Sequence, residues 1–315
     1  MQYANYSFYC RFTSATHVSA FKGSAIGGLF CLVLKKTVCA LRLKECDSCI
    51  LQKRCVYFQM FETQKTGAVN KRGKILSSAL PHPFVLEPPL DLDQTYQAGD
   101  SFVLGLTLFG NAVEYLPYLV YCLELMGKYG LGKHRKDGSG RFELIRVTRG
   151  ERIIFDEKEK TLKQDMEPGL LCLDAFASEP VNEVTVRFLT PLRIKYRNHL
   201  VDRLDFHILV RACLRRISLL EETFGQGEPD LDYSGLVKLA ESVITRKHDL
   251  KWQEVTRYSN RQKRLMNIGG VTGSVTYQGE LSPFIPILKY CEVTHVGKLT
   301  AFGHGKIKVH TENGP

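Results

Sequence analysis

A chain of 315 residues has room for two hydrophobic cores, and its 44% of hydrophobic residues argues against wholesale disorder. No apolar run approaches the ~20 residues of a membrane span, and the opening Met1-Gln-Tyr-Ala-Asn-Tyr-Ser-Phe carries no basic segment followed by an apolar one, so neither a membrane protein nor a secretory leader is expected and the cytoplasm is. The excess of 43 Lys and Arg over 33 Asp and Glu, a formal charge of +10, favours a polyanionic partner, and the cations gather in glycine-rich or turn-like stretches at 128–136, 246–264 and 298–308.

In chain order, alternation over 6–12 predicts a strand, and Ile26, Leu29, Phe30, Val33 and Leu34 predict a helix over 22–38. A cysteine-rich insertion follows at about 39–80. Residues 83–87 and 101–109 read as a strand pair, and Val113 to Met126 trace one face of a helix capped at Asn111. Gly127 to Gly132 end that helix, and 141–147 resumes strand alternation. Residues 151–182 predict a linker or an extra hairpin. The order then repeats: a strand at 183–189, a long helix at 205–224 with Arg211, Arg215 and Arg216 largely off its apolar stripe, and a short helix running to Ile244. A hairpin of 252–258 with 270–278 is joined by the basic tip Arg261-Gln-Lys263-Arg264. A helix from Ser282, a glycine loop at 297–305 and a strand at 306–310 complete the chain. Both halves read βαββαβ, so the expected fold is α+β: two tandem ferredoxin-like (RRM-like) domains at 1–150 and 183–315, each with two helices on a four-stranded antiparallel sheet.

The glycine loop is His295-Val-Gly297-Lys298-Leu-Thr300-Ala-Phe-Gly303-His304-Gly305-Lys306. Closely spaced glycines allow a backbone to approach a ligand, and free amides there can form a concave anion site. Together with 270–279, 284–288, Thr190-Pro-Leu-Arg193 and the Arg215-Arg216 helix, this segment resembles the C-terminal signature of the CRISPR-associated repeat endoribonucleases, the sixth Cas family of the RAMP superfamily. Phe21-Lys-Gly-Ser-Ala and Gly127-Lys-Tyr-Gly-Leu-Gly resemble that family's first domain.

The resemblance implies metal-independent cutting of CRISPR repeat RNA. The 2′-hydroxyl would attack the adjacent phosphate and leave a 2′,3′-cyclic phosphate, with precursor and product crRNA, and other CRISPR effector subunits, as partners. That chemistry needs a base, an acid and cations near the developing charge. His295, His304 and His17 are the candidate acid–base groups. Gly297, Lys298, Thr300, Gly303, Gly305, Lys306, Arg261, Lys263, Arg264, Arg211 and Arg215 are the candidate RNA contacts. Relatives carry Arg and His on the first helix, where this chain has Ile26-Gly-Gly28-Leu-Phe-Cys-Leu32; a non-catalytic RNA-binding subunit is therefore the alternative. Cys39, Cys46, Cys49 and Cys55 are spaced for four thiolate ligands, fitting a structural [4Fe–4S] cluster or zinc and no catalytic cofactor. An iron–sulfur redox or DNA-repair protein, the third reading, rests on that spacing alone.

Overall fold

The computed structural model describes every residue except 43–44, 47, 63–79, 164–166, 177–179, 260–262 and 313–315. The first half contains β1 (Gln2–Phe12), α1 (Gly23–Val38), α2 (Val56–Phe61), β2 (Phe84–Glu87), β3 (Ser101–Phe109), α3 (Leu116–Tyr129), β4 (Phe142–Arg149) and β5 (Arg152–Asp156). Its sheet runs β2-β3-β1-β4-β5, antiparallel throughout. The alternation in β1 explains the layering: Tyr6, Phe8, Cys10 and Phe12 are buried toward α1 and α3, while Ser7, Tyr9 and Arg11 lie on the opposite, more open face. Gly127 lets α3 close on β4, since a Cβ there would stand 1.9 Å from the Phe142 carbonyl oxygen. α3 starts at Leu116 rather than Asn111, because residues 110–115 form a 3₁₀ turn and Pro117 occupies the first α-helical turn, where its missing N–H costs nothing.

The second half contains β6 (Glu183–Leu192), α4 (Phe206–Phe224), α5 (Tyr233–Ala240), β7 (Ile244–Gln253), β8 (Thr256–Ser259), β9 (Arg264–Asn267), β10 (Gly270–Gln278), α6 (Ile285–Thr294) and β11 (Ile307–Glu312). The sheet order β7-β10-β6-β11 repeats that of β2-β3-β1-β4, so the chain is two tandem ferredoxin-like units of α+β class. Three readings of the sequence need correction. Ile244 opens β7 instead of closing the preceding helix, which ends at Ala240. Residues 252–258 are not one strand: β7 stops at Gln253 and a separate two-stranded ribbon, β8–β9, is inserted before β10. Arg216 is buried, its guanidinium donating from Nε and Nη2 to the Thr294 carbonyl at 3.2 and 2.9 Å.

Residues between the halves extend the first sheet. β5 pairs with β4, and residues 169–170 pair with the start of β1. The two units also share apolar contacts: Val85 and Phe109 join the second core, and Ala301 joins the first. Among the described residues no helix is long and apolar enough to cross a membrane.

Candidate nucleic-acid interface

The glycine loop follows α6 and takes positive φ at His295, Gly297, Leu299, Gly303 and Gly305. Its amides are largely turned inward. Val296 donates to the Gly305 carbonyl at 3.0 Å, Lys298 to Arg193 at 3.0 Å, Gly303 to Thr300 at 2.9 Å and Gly305 to Pro191 at 3.1 Å. A Cβ at Gly305 would lie 1.8 Å from the Val296 oxygen, and one at Gly303 would lie 2.3 Å from Pro88 Cδ. The glycines thus serve close packing against β6 and the first domain, rather than leaving a row of amides for a phosphate. Gly303, Gly305 and Thr300 are buried, Gly297 is half-buried, and Lys298 stands exposed at the tip.

His295 and His304 are 0% exposed. His295 Nδ1 donates to the His304 carbonyl at 3.1 Å, and His304 Nε2 donates to the Ile268 carbonyl at 2.9 Å. A carbonyl only accepts, so each bonded nitrogen carries a hydrogen, and the other, His295 Nε2 or His304 Nδ1, has no partner. Burial brings both imidazoles down to about 4, so both are neutral at pH 7. His304 also meets Phe21 edge-on at 4.7 Å. Both rings are packing groups in this arrangement and neither meets solvent, which removes the geometric basis for casting them as acid or base. His17 differs: it is exposed, in a two-residue strand, and its carbonyl accepts from Lys133 N at 3.3 Å. Lys306 is also committed, to Glu87 of β2 across the domain junction. That carboxyl is held below its ordinary range despite its burial, by His295 and Lys306.

A cationic patch survives this accounting. The Lys298 ammonium is pushed below its usual value by partial burial and by three neighbouring cations, Lys195, Arg215 and Arg193. Arg193 donates to the Gly269 carbonyl at 2.6 Å and is thereby aimed, while Arg211 and Arg197 flank the Tyr196 ring at 5.9 and 5.3 Å. Among the described residues, none of Arg193, Lys195, Arg215 and Lys298 makes an ion pair with a carboxylate. Four cations without counter-charge form a site for a polyanion. Lys298, Arg215 and Arg211 were expected there. Arg193 and Lys195 were not, although they sit two apart where β6 ends, a spacing that puts both on one side of an extended chain. Lys263 and Arg264 lie exposed at the β8–β9 tip, and Arg261 falls outside the described residues.

A cleft of about 310 Å³ between the units is lined by Ser24, Gly28 and Leu32 of α1, Gly132 and Arg135 of the turn after α3, and Arg257 and Tyr258 of β8. The Arg257 guanidinium sits 4.3 Å from the centre of the Phe302 ring, and burial lowers its pKa. Gly28 has no atom within 4 Å of its would-be Cβ.

The expected thiolate centre is not assembled. Cys39, Cys46, Cys49 and Cys55 are free and half-buried, with Cys49 N donating to the Cys46 carbonyl at 3.1 Å. Among the described residues, no three His, Cys, Asp or Glu are placed to hold a metal ion. The residues as arranged do not fit zinc or an iron–sulfur cluster.

Duplicated ferredoxin-like units with a glycine loop packed between them and a cationic patch beside it are the architecture that comparison with known proteins bears on. A family model described as CRISPR-associated endoribonuclease Cas6 matches residues 186–307, and an N-terminal-domain model, AF_1859_N, matches residues 1–167. An uncharacterized protein of Archaeoglobus fulgidus is 24% identical over 306 residues, covering 94% of this chain and 93% of its own. Among solved structures, a Cas6 product complex superposes with a TM-score of 0.57 at 15% identity, covering 98% of this chain and all of that one. Thermus thermophilus Cas6 gives 0.55 at 13%, covering 98% of each chain, and a partial Cas6-RT-Cas1–Cas2 complex gives 0.58 at 12%, covering 99% of this chain and 46% of that one. Residues 186–307 thus carry a Cas6-type domain and residues 1–167 an N-terminal domain of the AF_1859_N family.

Proposed function

We propose that this protein grips CRISPR repeat RNA on the Arg193–Lys195–Arg215–Lys298 patch and cuts it at the interdomain cleft. The observation that carries the proposal is the unpaired patch beside the glycine loop, which can only be compensated by an anion from outside. RNA supplies its own nucleophile, the 2′-hydroxyl, so the protein has to orient the sugar-phosphate, take one proton, return another and stabilise the pentavalent charge. Arg257 and Arg135 line the cleft with positive charge for that purpose. His17 is the acid–base candidate, as the exposed member of the three expected histidines, on the chain segment that abuts the Gly132 turn. Because the nucleophile is intramolecular, no metal-activated water is required. The products are a 2′,3′-cyclic phosphate and a 5′-hydroxyl. Other Cas proteins are the natural acquirers of the product, in keeping with the Cas6-RT-Cas1–Cas2 assembly to which the fold is similar.

The test is labelled repeat RNA incubated with pure protein in EDTA. The proposal expects a cyclic-phosphate end, a strong loss in His17→Ala, and cutting preserved in His304→Gln. Normal cutting by His17→Ala rejects His17 as the catalyst. Binding without cutting supports the second reading, a non-cleaving RNA-binding member, which the burial of His295 and His304 and the absence of Arg and His from the first helix, at Gly27 and Leu32, specifically favour.

A further inference from the structure

The outer face of α3 has no assigned role. It carries Tyr118, Tyr121 and Tyr129, which are 49%, 53% and 39% exposed on the one helix. Tyr121 and Tyr129 are eight residues apart, in one row two turns long, with the half-buried Leu125 between them. Aromatic rings left in water along a single row forgo the burial that draws such side chains inward, so the row is matched to an occupant. Tyr118 prolongs the row by one turn.

Two observations identify that occupant. The row ends at the cleft: Tyr129 is followed directly by Gly130, Leu131 and Gly132, all of which line it. Its cleft end is also cationic. Lys36 of α1 stands 4.8 Å from the centre of the Tyr129 ring and donates to its hydroxyl at 3.4 Å, and Lys128 is exposed beside it, against one half-buried acid, Glu124. Flat faces for bases, alternating with ammonium groups for phosphates, are what an unpaired strand requires. Eight helical residues span ~12 Å, the length of three or four bases stacked ~3.4 Å apart.

We infer that this tyrosine row is a stacking platform that carries a single-stranded RNA flank leaving the cleft. The inference rests on the RNA reading of the cleft and extends the footprint from the cut site to its neighbours. It leaves the chemistry to the cleft and assigns α3 the task of holding product or orienting the flank, the more so because RNA held by stacking is tolerant of its sequence.

The experiment compares two repeat RNAs in fluorescence anisotropy, one trimmed to the cut region and one with a ten-nucleotide unpaired flank on either side, against wild type, Tyr121→Ser/Tyr129→Ser and Tyr121→Phe/Tyr129→Phe. The serine pair is expected to lose roughly tenfold or more in affinity for the flanked RNA, to move less than twofold on the trimmed RNA, and to lose 4-thiouridine crosslinks to α3. The phenylalanine pair keeps wild-type affinity, because stacking needs the ring and not the hydroxyl. Equal affinity of the serine pair and wild type for flanked RNA overturns the inference and returns the face to a protein partner. Equal losses on both RNAs also overturn it. The cleft reading fails separately, by Arg257→Ala and Lys298→Ala binding the trimmed RNA as tightly as wild type.

Discussion

Acidification should unfold this protein through its two buried imidazoles, and the structure sets the size of the effect. An imidazole that titrates at 6.5 in the unfolded chain is brought by burial to about 4 at His295 and at His304. Between those values the unfolded chain binds more protons than the folded one, so stability rises with pH across this window. The contribution is complete above ~6.5, declines as pH falls toward 4 and is flat below. At ~1.4 kcal/mol per pH unit, each neutral ring contributes about 3 kcal/mol, a large share of the 5–15 kcal/mol typical of a folded protein. Protonation would place a new N–H on His304 Nδ1 or His295 Nε2, buried nitrogens that make no hydrogen bond in the folded protein. Glu87, whose carboxyl is held below 4.5, adds a loss in the same direction at lower pH. The assay is urea denaturation followed by circular dichroism from pH 7.5 to 4. His304→Gln keeps an N–H for the Ile268 carbonyl but cannot titrate, so its pH slope should be about half that of wild type. A wild-type midpoint that stays constant down to pH 4.5, or two imidazole NMR signals for these residues titrating near 6.5, would refute the reasoning.

Further outcomes follow from the same geometry. Arg216→Met strips the Thr294 carbonyl of both its guanidinium donors at the end of α6, and should cost about 2–4 kcal/mol, read as a fall of roughly 5–15 °C in Tm. Lys195→Ala and Lys298→Ala should each reduce the slope of log K against log salt for repeat RNA by ~0.7, whereas Lys306→Ala, already neutralised by Glu87, leaves it unchanged. Gly28→His meets no atom within 4 Å and places an imidazole at the cleft; single-turnover cleavage should rise by on the order of a hundredfold if proton transfer limits the rate. Iodoacetamide under native conditions should label Cys39, Cys46, Cys49 and Cys55, while the buried Cys10, Cys122, Cys213 and Cys291 stay unmodified. Burial also pushes the thiols of Cys10 and Cys122 well above their ordinary range. Protection of all four exposed-loop cysteines, by mass spectrometry, would show them ligated after all.

Elements with one buried face were legible in the sequence. β1 alternates because Tyr6, Phe8, Cys10 and Phe12 all enter one core, and α4 declares its stripe because Leu209, Cys213, Ile217 and Leu220 pack against the second sheet. β7 was not legible: as an edge strand it leaves Arg246, Lys247 and Lys251 exposed, so no period of two appears in its hydrophobicity. Arg216 was misplaced for a related reason, since residue type reports charge but not the carbonyl waiting to accept from it. The metal reading finds no assembled ligand set among the described residues, as spacing along a chain limits how near four thiols can come but does not bring them together. The histidines show the same gap: nothing in Thr294-His295-Val296 or Gly303-His304-Gly305 announces complete burial.

The glycine loop illustrates how one signal supports two readings. Positive φ at Gly297, Gly303 and Gly305 is equally suited to baring amides for a phosphate and to letting backbones touch. Pro88 and Leu86 of the first unit decide the matter, because they fill the space a Cβ at Gly303 would need, and a Cβ at Gly23 of α1 would likewise stand 2.1 Å from the Phe302 carbonyl oxygen. These close approaches hold α1 and the end of β2 against the loop. The loop reaches the cleft through Phe302, on which Arg257 rests, and carries Lys298 to the cationic patch. On the proposed reading, the glycines hold the cleft and the cationic patch at a fixed separation, and the cations, rather than the loop's own amides, would meet the bound RNA.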